Sequence, residues 1–172
     1  MTTILSLCLF AIVLTSCQKN SLQSYLVDHK SDDNFISVDF SLKTFVDNFD
    51  DLDPEQKEVF EDVNKVNFLA FKKNGSNDTS YIQKKEELLA ILESEFEGNQ
   101  LMSANMEGNL VKMYADNIED TANEIVIYAG SDTRGFMLFR LLGDDLNPRN
   151  FYKMMTMSKD MNFESLTDMV DL

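Results

Sequence analysis

The second half of the chain contains closely spaced segments in which apolar residues recur at every second position. A period of two is typical of β-strands with one buried face, and short turns between such segments favour hairpins. Because strands joined by short turns pair with each other, this pattern restricts the fold more than any other feature. It predicts a four-strand antiparallel meander, with strands at Leu101–Met106, Leu110–Ala115, Glu124–Ala129 and Gly135–Leu142.

The first half of the chain adds two strands and most of the helices. Asn34–Phe40 alternates apolar and polar residues, and Val66–Phe71 is apolar on both faces, as expected of an interior strand. Helical spacing predicts helices within 41–63 and a long helix over Thr79–Glu97 with Asp78 as its cap. The order predicts an α+β fold, in which the late meander and the two earlier strands form an antiparallel sheet packed on one face by helices.

A final helix is predicted near the end of the chain. Asn147 is expected to cap it, and Pro148 suits its first position because proline lacks the N–H group that would be unpaired there. Leu146 and Phe151 are placed to form a hydrophobic staple across this helix start. Met154, Met155, Met157 and Met161 follow at helical spacing, which we interpret as core packing rather than a Cu(I) site.

The N-terminus carries an apolar run, Ile4–Leu14, that is shorter than the roughly 20 residues of a membrane-spanning helix. Its length matches the apolar region of a secretory signal peptide. The following residues, Leu14-Thr15-Ser16-Cys17, resemble the lipobox of bacterial lipoproteins. The resemblance implies cleavage between Ser16 and Cys17 and attachment of diacylglycerol to the Cys17 thiol, which with further acylation anchors a protein stably to a membrane.

These observations divide the chain into four parts. We predict a lipoprotein signal peptide over 1–16, a lipidated cysteine with a tether or short helix over 17–33, a single α+β domain over 34–160 and a C-terminal tail over 161–172.

The charge of the chain restricts its partners. Thirty acidic residues against 15 basic ones give a net charge of −15, which disfavours nucleic-acid binding and adsorption to anionic membranes. We therefore expect membrane attachment through the lipid alone. The resemblance to a lipobox implies an outer-membrane position in the cell envelope, and we expect an envelope protein as partner. Gln18-Lys19 resembles the start of a surface-export signal, but Asn20 and Ser21 stand where acids are expected, so both periplasmic and surface-exposed orientations stay open.

The sequence predicts no catalytic, metal-binding or cofactor-binding residue. Cys8 would leave with the signal peptide and Cys17 would carry lipid, so His29 is the one remaining candidate for a nucleophile–base pair. His29 lies in a polar stretch beside the tether and is expected to be exposed. The acidic run from Asp47 to Glu55 includes Pro54 and no glycine, which favours solvated charges at a helix start over a Ca²⁺ loop.

Arg140 and Thr121 are two further candidate site residues. Arg140 interrupts a row of apolar residues on the last strand, so its guanidinium needs a carboxylate partner if it is buried. Structural ion pairing and contact with an anionic ligand or partner are both open for Arg140. Asp120-Thr121-Ala122 resembles the O-glycosylation signal of exported Bacteroidetes proteins, and the resemblance implies that Thr121 is the acceptor.

Three segments carry a resemblance that covers most of the mature chain: 67–73, 124–128 and 135–148, the last of which contains Gly143-Asp144-Asp145 between a strand and a helix. In these segments the chain resembles DUF4252, a Bacteroidetes lipoprotein family described as a domain of unknown function. The resemblance implies an envelope lipoprotein and supplies no catalytic residues.

Together these patterns favour a non-enzymatic, lipid-anchored binding domain. One alternative is a small-molecule or lipid carrier with a cavity between sheet and helices. A less favoured alternative is a carboxylate- or metal-dependent hydrolase, which would need two acidic residues converging in a pocket.

Overall fold

A computed structural model of the chain describes residues 20–41, 61–106 and 108–151, together with Pro54 and Lys57. In chain order its regular elements are α1 (Leu22–Asp28), β1 (Phe35–Phe40), β2 (Val63–Lys72), α2 (Asp78–Glu95), β3 (Gln100–Met106), β4 (Asn109–Ala115), β5 (Ala122–Ser131) and β6 (Gly135–Leu146). The predicted α+β class is confirmed.

The strands form one six-stranded sheet in the order β1-β2-β6-β5-β4-β3, and every neighbouring pair is antiparallel. The predicted meander is present as β3 to β6, and β2 lies in the interior of the sheet between β1 and β6. Since β2 and β3 are separated by three strands and run in the same direction, α2 connects them by crossing one face of the sheet.

Several predicted boundaries were wrong. Val63, assigned by its spacing to a helix, begins β2, because it pairs with Gly143 on β6. β6 continues to Leu146, where it pairs with Ala122, rather than ending at Leu142. Asp78 is the first residue of α2 and not its cap, a position that Asn77 occupies.

The helices α1 and α2 pack on the same face of the sheet, which we call the helix face. The residue Ser21 caps α1 by accepting a hydrogen bond from Ser24 N at 3.1 Å, so a helix rather than a tether lies at this point. The backbone N–H of Leu22 donates to Glu95 of α2 at 2.7 Å. The core between helices and sheet is aromatic at its centre, where the Phe136 ring lies within 5.6–6.1 Å of its neighbours Phe35, Phe71, Tyr81 and Tyr128.

The opposite face of the sheet, which we call the distal face, is also apolar. Its residues form rows across the strands, and one row contains Val38, Phe68, Phe139, Ile127, Met113 and Met102. After β6 the chain turns onto one end of this face, where Leu146 and Phe151 are buried together. Asn147 caps the helical turn at 148–151 by accepting from Arg149 N at 3.0 Å, which agrees with the predicted helix start.

Candidate functional site

A groove opens at the end of the distal face that is farther from Phe151, beside the turn between β5 and β6. Its volume is about 220 Å³. Two neighbouring rows of the sheet supply most of its lining. One row is Val111, Ala129 and Met137, and the next is Asn109, Ser131 and Gly135. The remaining lining residues are Leu110, Gly130, Phe136 and Arg134.

The groove exists because two of its lining residues, Ala129 and Gly135, are smaller than the residues that pair with them on the neighbouring strands. Ala129 lies between Val111 and Met137, so the row dips where its methyl group replaces a longer side chain. Gly135, in the next row, has no side chain at all, and a Cβ there would lie 2.0 Å from the carbonyl oxygen of Phe71. The concavity is therefore fixed by the backbone and by side-chain size.

The rim of the groove carries positive charge. Arg134 lines the groove and is exposed, and its carbonyl accepts a hydrogen bond from Lys73 N at 2.9 Å. The nearby carboxylate of Asp132 is paired with Lys85 at 2.8 Å, and this hydrogen bond lowers the pKa of Asp132. Lys73 Nζ donates to the Asp132 carbonyl at 2.7 Å. Lys73 Nζ also pairs with Asp78 at 3.7 Å, so Arg134 is the basic side chain at this rim that has no acidic partner among the described residues.

Arg140 lies elsewhere, on the helix face, and is 9% exposed. The Arg140 guanidinium donates two hydrogen bonds to the Glu124 carboxylate, from Nε to Oε1 at 2.7 Å and from Nη2 to Oε2 at 3.1 Å. The third contact is from Nη1 to the side-chain oxygen of Gln23 on α1. Arg140 therefore meets the carboxylate that its burial requires, and the contact with Gln23 fixes α1 to the sheet.

A second polar pair lies next to Arg140. Asn67 is its cross-strand neighbour and donates to Asp39 Oδ1 at 2.6 Å. This hydrogen bond is the main cause of the lowered pKa of Asp39. Lys30 Nζ donates a second hydrogen bond to Asp39 at 3.1 Å, which also lowers this pKa. Asp39, Asn67 and Arg140 thus place polar side chains next to each other on β1, β2 and β6, and we interpret their role as structural.

The expectation that His29 is exposed was wrong. His29 is 6% exposed, and its ring lies 4.1 Å from that of Tyr25 and 4.5 Å from that of Phe35. Its Nδ1 contacts the carbonyl of Tyr25 at 2.8 Å. The local sequence is polar, but α1 brings the ring over Phe35, so that the histidine closes the end of the core rather than facing solvent.

The other predicted site residues fall in two groups. Thr121 lies on the turn before β5 and donates to Asp145 Oδ1 at 3.1 Å, so its hydroxyl is engaged in a local contact. Ser16 and Cys17, like the acidic run and the methionines from Met154 onward, lie outside the described residues. None of the described helices is long and apolar enough to cross a membrane. Within the described ranges no three His, Cys, Asp or Glu side chains converge as metal ligands.

No pattern in the sequence indicated the groove. The sequence shows nothing unusual at Val111, Ala129 and Met137, which have ordinary strand residues, or at Arg134, which lies in a turn. Only the register of β4, β5 and β6 brings them together. A small residue flanked by bulky ones across three strands is the signal that could have indicated it, and that signal needs the register to be known.

The interior between the helices and the sheet contains the buried hydroxyl group of Tyr128. The Tyr128 side chain is fully buried, and its hydroxyl has no hydrogen-bond partner among the described residues. Burial also raises the pKa of Tyr128. The hydroxyl fills the space above Gly130, where a Cβ would lie 2.2 Å from it. Tyr81, by contrast, donates its hydroxyl to the Ser131 carbonyl at 2.9 Å.

Tyr128→Phe is expected to leave the free energy of unfolding unchanged or to raise it by up to about 1 kcal/mol, because it removes a buried hydroxyl that gains no hydrogen bond. Tyr81→Phe, the matched control, is expected to lower it by about 1 kcal/mol. Urea denaturation of the two variants measures both values. A loss for Tyr128→Phe as large as that for Tyr81→Phe would mean that the Tyr128 hydroxyl is bonded, for example to a buried water.

Comparison with known families gave one match. A family model described as a domain of unknown function, DUF4252, matches residues 29–154, which include every strand of the sheet and α2. Comparison with the curated proteins and with the solved structures gave no match.

Proposed function

The chain belongs to the DUF4252 family, and from that premise we propose that it is a lipid-anchored protein of the cell envelope whose domain binds a ligand or partner without catalysing a reaction. The observation that carries the binding role is the apolar groove with a basic rim. The anchoring role is supported by the lipobox-like Leu14-Thr15-Ser16-Cys17.

The position of α1 gives this proposal a geometric consequence. Leu22, the first residue of α1, is five residues after Cys17. Fully extended, such a segment reaches about 17 Å. A lipid on Cys17 would therefore hold the domain next to the bilayer, and the Gln23–Arg140 contact would transmit that attachment to the sheet.

A small-molecule carrier is the second candidate, and the groove is also the observation that favours it. On the helix face, the predicted location of a carrier cavity, aromatic and aliphatic side chains pack against each other. The groove on the distal face instead offers an accessible apolar surface. The lining residues within the described part of the chain are apolar, small, amide, hydroxyl or basic, so carboxylate-based hydrolysis would need acidic residues from elsewhere.

The anchor is tested by labelling cells with radioactive palmitate. We expect the full chain to incorporate label and to fractionate with membranes, and Cys17→Ala to lose both properties because the thiol is the attachment point. Cys8→Ala is the matched control and is expected to keep the label, since Cys8 lies in the segment that would be removed. Equal labelling of the Cys17→Ala variant would contradict the proposal.

The binding role is tested on the same material. Native mass spectrometry of the chain purified from envelopes is expected to show bound mass beyond the polypeptide and its acyl groups. A spectrum that accounts fully for polypeptide and acyl groups alone would contradict it.

A further inference from the structure

The distal groove has a size that limits what it can hold. A volume of about 220 Å³ is smaller than the roughly 300–1,000 Å³ of pockets that hold drug-sized ligands. It is enough for a single unbranched aliphatic chain of about eight carbons lying along Val111, Ala129 and Met137.

The charge of Arg134 at the rim favours a ligand with an anionic group. The side chain of Arg134 makes no hydrogen bond or ion pair with the described residues, whereas the neighbouring Lys85 and Lys73 are engaged with Asp132 and Asp78. A planar guanidinium presents a fork of donors that matches a carboxylate at two points. In a chain with twice as many acidic as basic residues, an arginine that has no side-chain partner among the described residues, at the mouth of an apolar groove, provides charge complementarity to an anionic ligand.

We infer that the distal groove binds a medium-chain fatty acid, with the aliphatic chain on Val111, Ala129 and Met137 and the carboxylate on Arg134. The inference rests on the proposed binding function and specifies its ligand class. Both ends of the ligand contribute: the apolar floor removes methylene groups from water, and Arg134 pairs with the carboxylate at the solvent edge.

The test is an NMR titration of the full-length Cys17→Ala chain, labelled at the methionine methyl groups, with sodium octanoate. We expect saturable shifts of the Met137 methyl signal, which Met137→Leu identifies. Acetate, which lacks the chain, is expected to give no shift. The uncharged 1-octanol is expected to bind about ten-fold more weakly than octanoate, because it loses the charge-assisted contact.

Two arginine variants form a matched pair. Arg134→Gln is expected to weaken octanoate binding about ten-fold and to leave 1-octanol binding unchanged. Arg149→Gln removes the same charge at the opposite end of β6, where Arg149 is exposed, and is expected to leave both affinities unchanged. Ala129→Ile is expected to abolish binding by filling the groove, with the melting temperature measured to confirm that this variant folds.

The outcomes separate this inference from the proposed function. Absence of saturable octanoate binding, or equal weakening by the two arginine variants, overturns the fatty-acid site even if the chain is labelled by palmitate. Binding of a peptide with an apolar C-terminal residue in preference to octanoate also overturns it, in favour of a peptide carboxylate. Loss of palmitate labelling would overturn the anchor and leave the titration result valid, since the titration uses the unlipidated variant.

Discussion

Replacing Glu124 with alanine is expected to lower the free energy of unfolding by about 3 kcal/mol, because it leaves the buried Arg140 guanidinium without its carboxylate. Arg140 is 9% exposed and, of its hydrogen bonds to described residues, would retain only the one to Gln23. Charge removal from one side of a buried pair costs more than the pair contributes, since the remaining charge stays desolvated. Urea denaturation monitored by far-UV circular dichroism measures the change.

Two controls show whether burial is the cause. Lys30→Ala breaks an ion pair of 3.1 Å to Asp39, but the Lys30 and Asp39 side chains are 60% and 36% exposed, so the expected loss is at most about 1 kcal/mol. The double variant Glu124→Leu with Arg140→Met removes both charges and is expected to recover most of the loss. If Glu124→Ala and Lys30→Ala cost the same, the Arg140 pair behaves as a surface pair and the argument from burial is wrong.

Gly135→Ala is expected to destabilise the protein by about 4 kcal/mol, through backbone strain and steric overlap together. Gly135 has φ +132°, a conformation that residues with a Cβ rarely adopt. The added methyl group would lie 2.0 Å from the Phe71 carbonyl oxygen, which is backbone and cannot rotate away. The β2–β6 pairing would have to separate locally, and thermal unfolding followed by circular dichroism measures the loss.

Gly108→Ala is the matched control for this substitution. Gly108 also lies in a turn and has φ +80°, but no atom lies within 4 Å of the Cβ that would be added. The expected cost is therefore that of the backbone conformation alone, about 1–2 kcal/mol. Equal losses at the two positions would show that the contact with Phe71 is relieved at little cost.

The local sequence determined the parts of the fold that depend on local chemistry. The period of two found the strands of the meander, and the buried positions Tyr81, Leu88 and Leu92 followed from the helical spacing in α2. The start of the last helix at Pro148 followed from Asn147, whose side chain accepts a hydrogen bond from Arg149 N. Each of these patterns involves residues within a few positions of each other, so one segment contains all the necessary information.

What the sequence left undetermined depends on residues that are distant in the chain. Val63 is a strand residue because Gly143 pairs with it, and His29 is buried because α1 places it over Phe35. The position of Arg140 in an apolar row of β6 predicted that it has a carboxylate partner. Only the register of β5 against β6 identifies that partner as Glu124, and only the packing of α1 adds the contact with Gln23, 117 residues away.

The groove is the clearest case, because no residue in it is unusual by itself. Its floor combines one residue from each of β4, β5 and β6, and its depth comes from Ala129 standing between larger neighbours. Apolar periodicity determines which residues share one face of the sheet, since it reflects the geometry of a single strand. Strand register and side-chain size across neighbouring strands determine where that surface is concave, and those are properties of the tertiary structure alone.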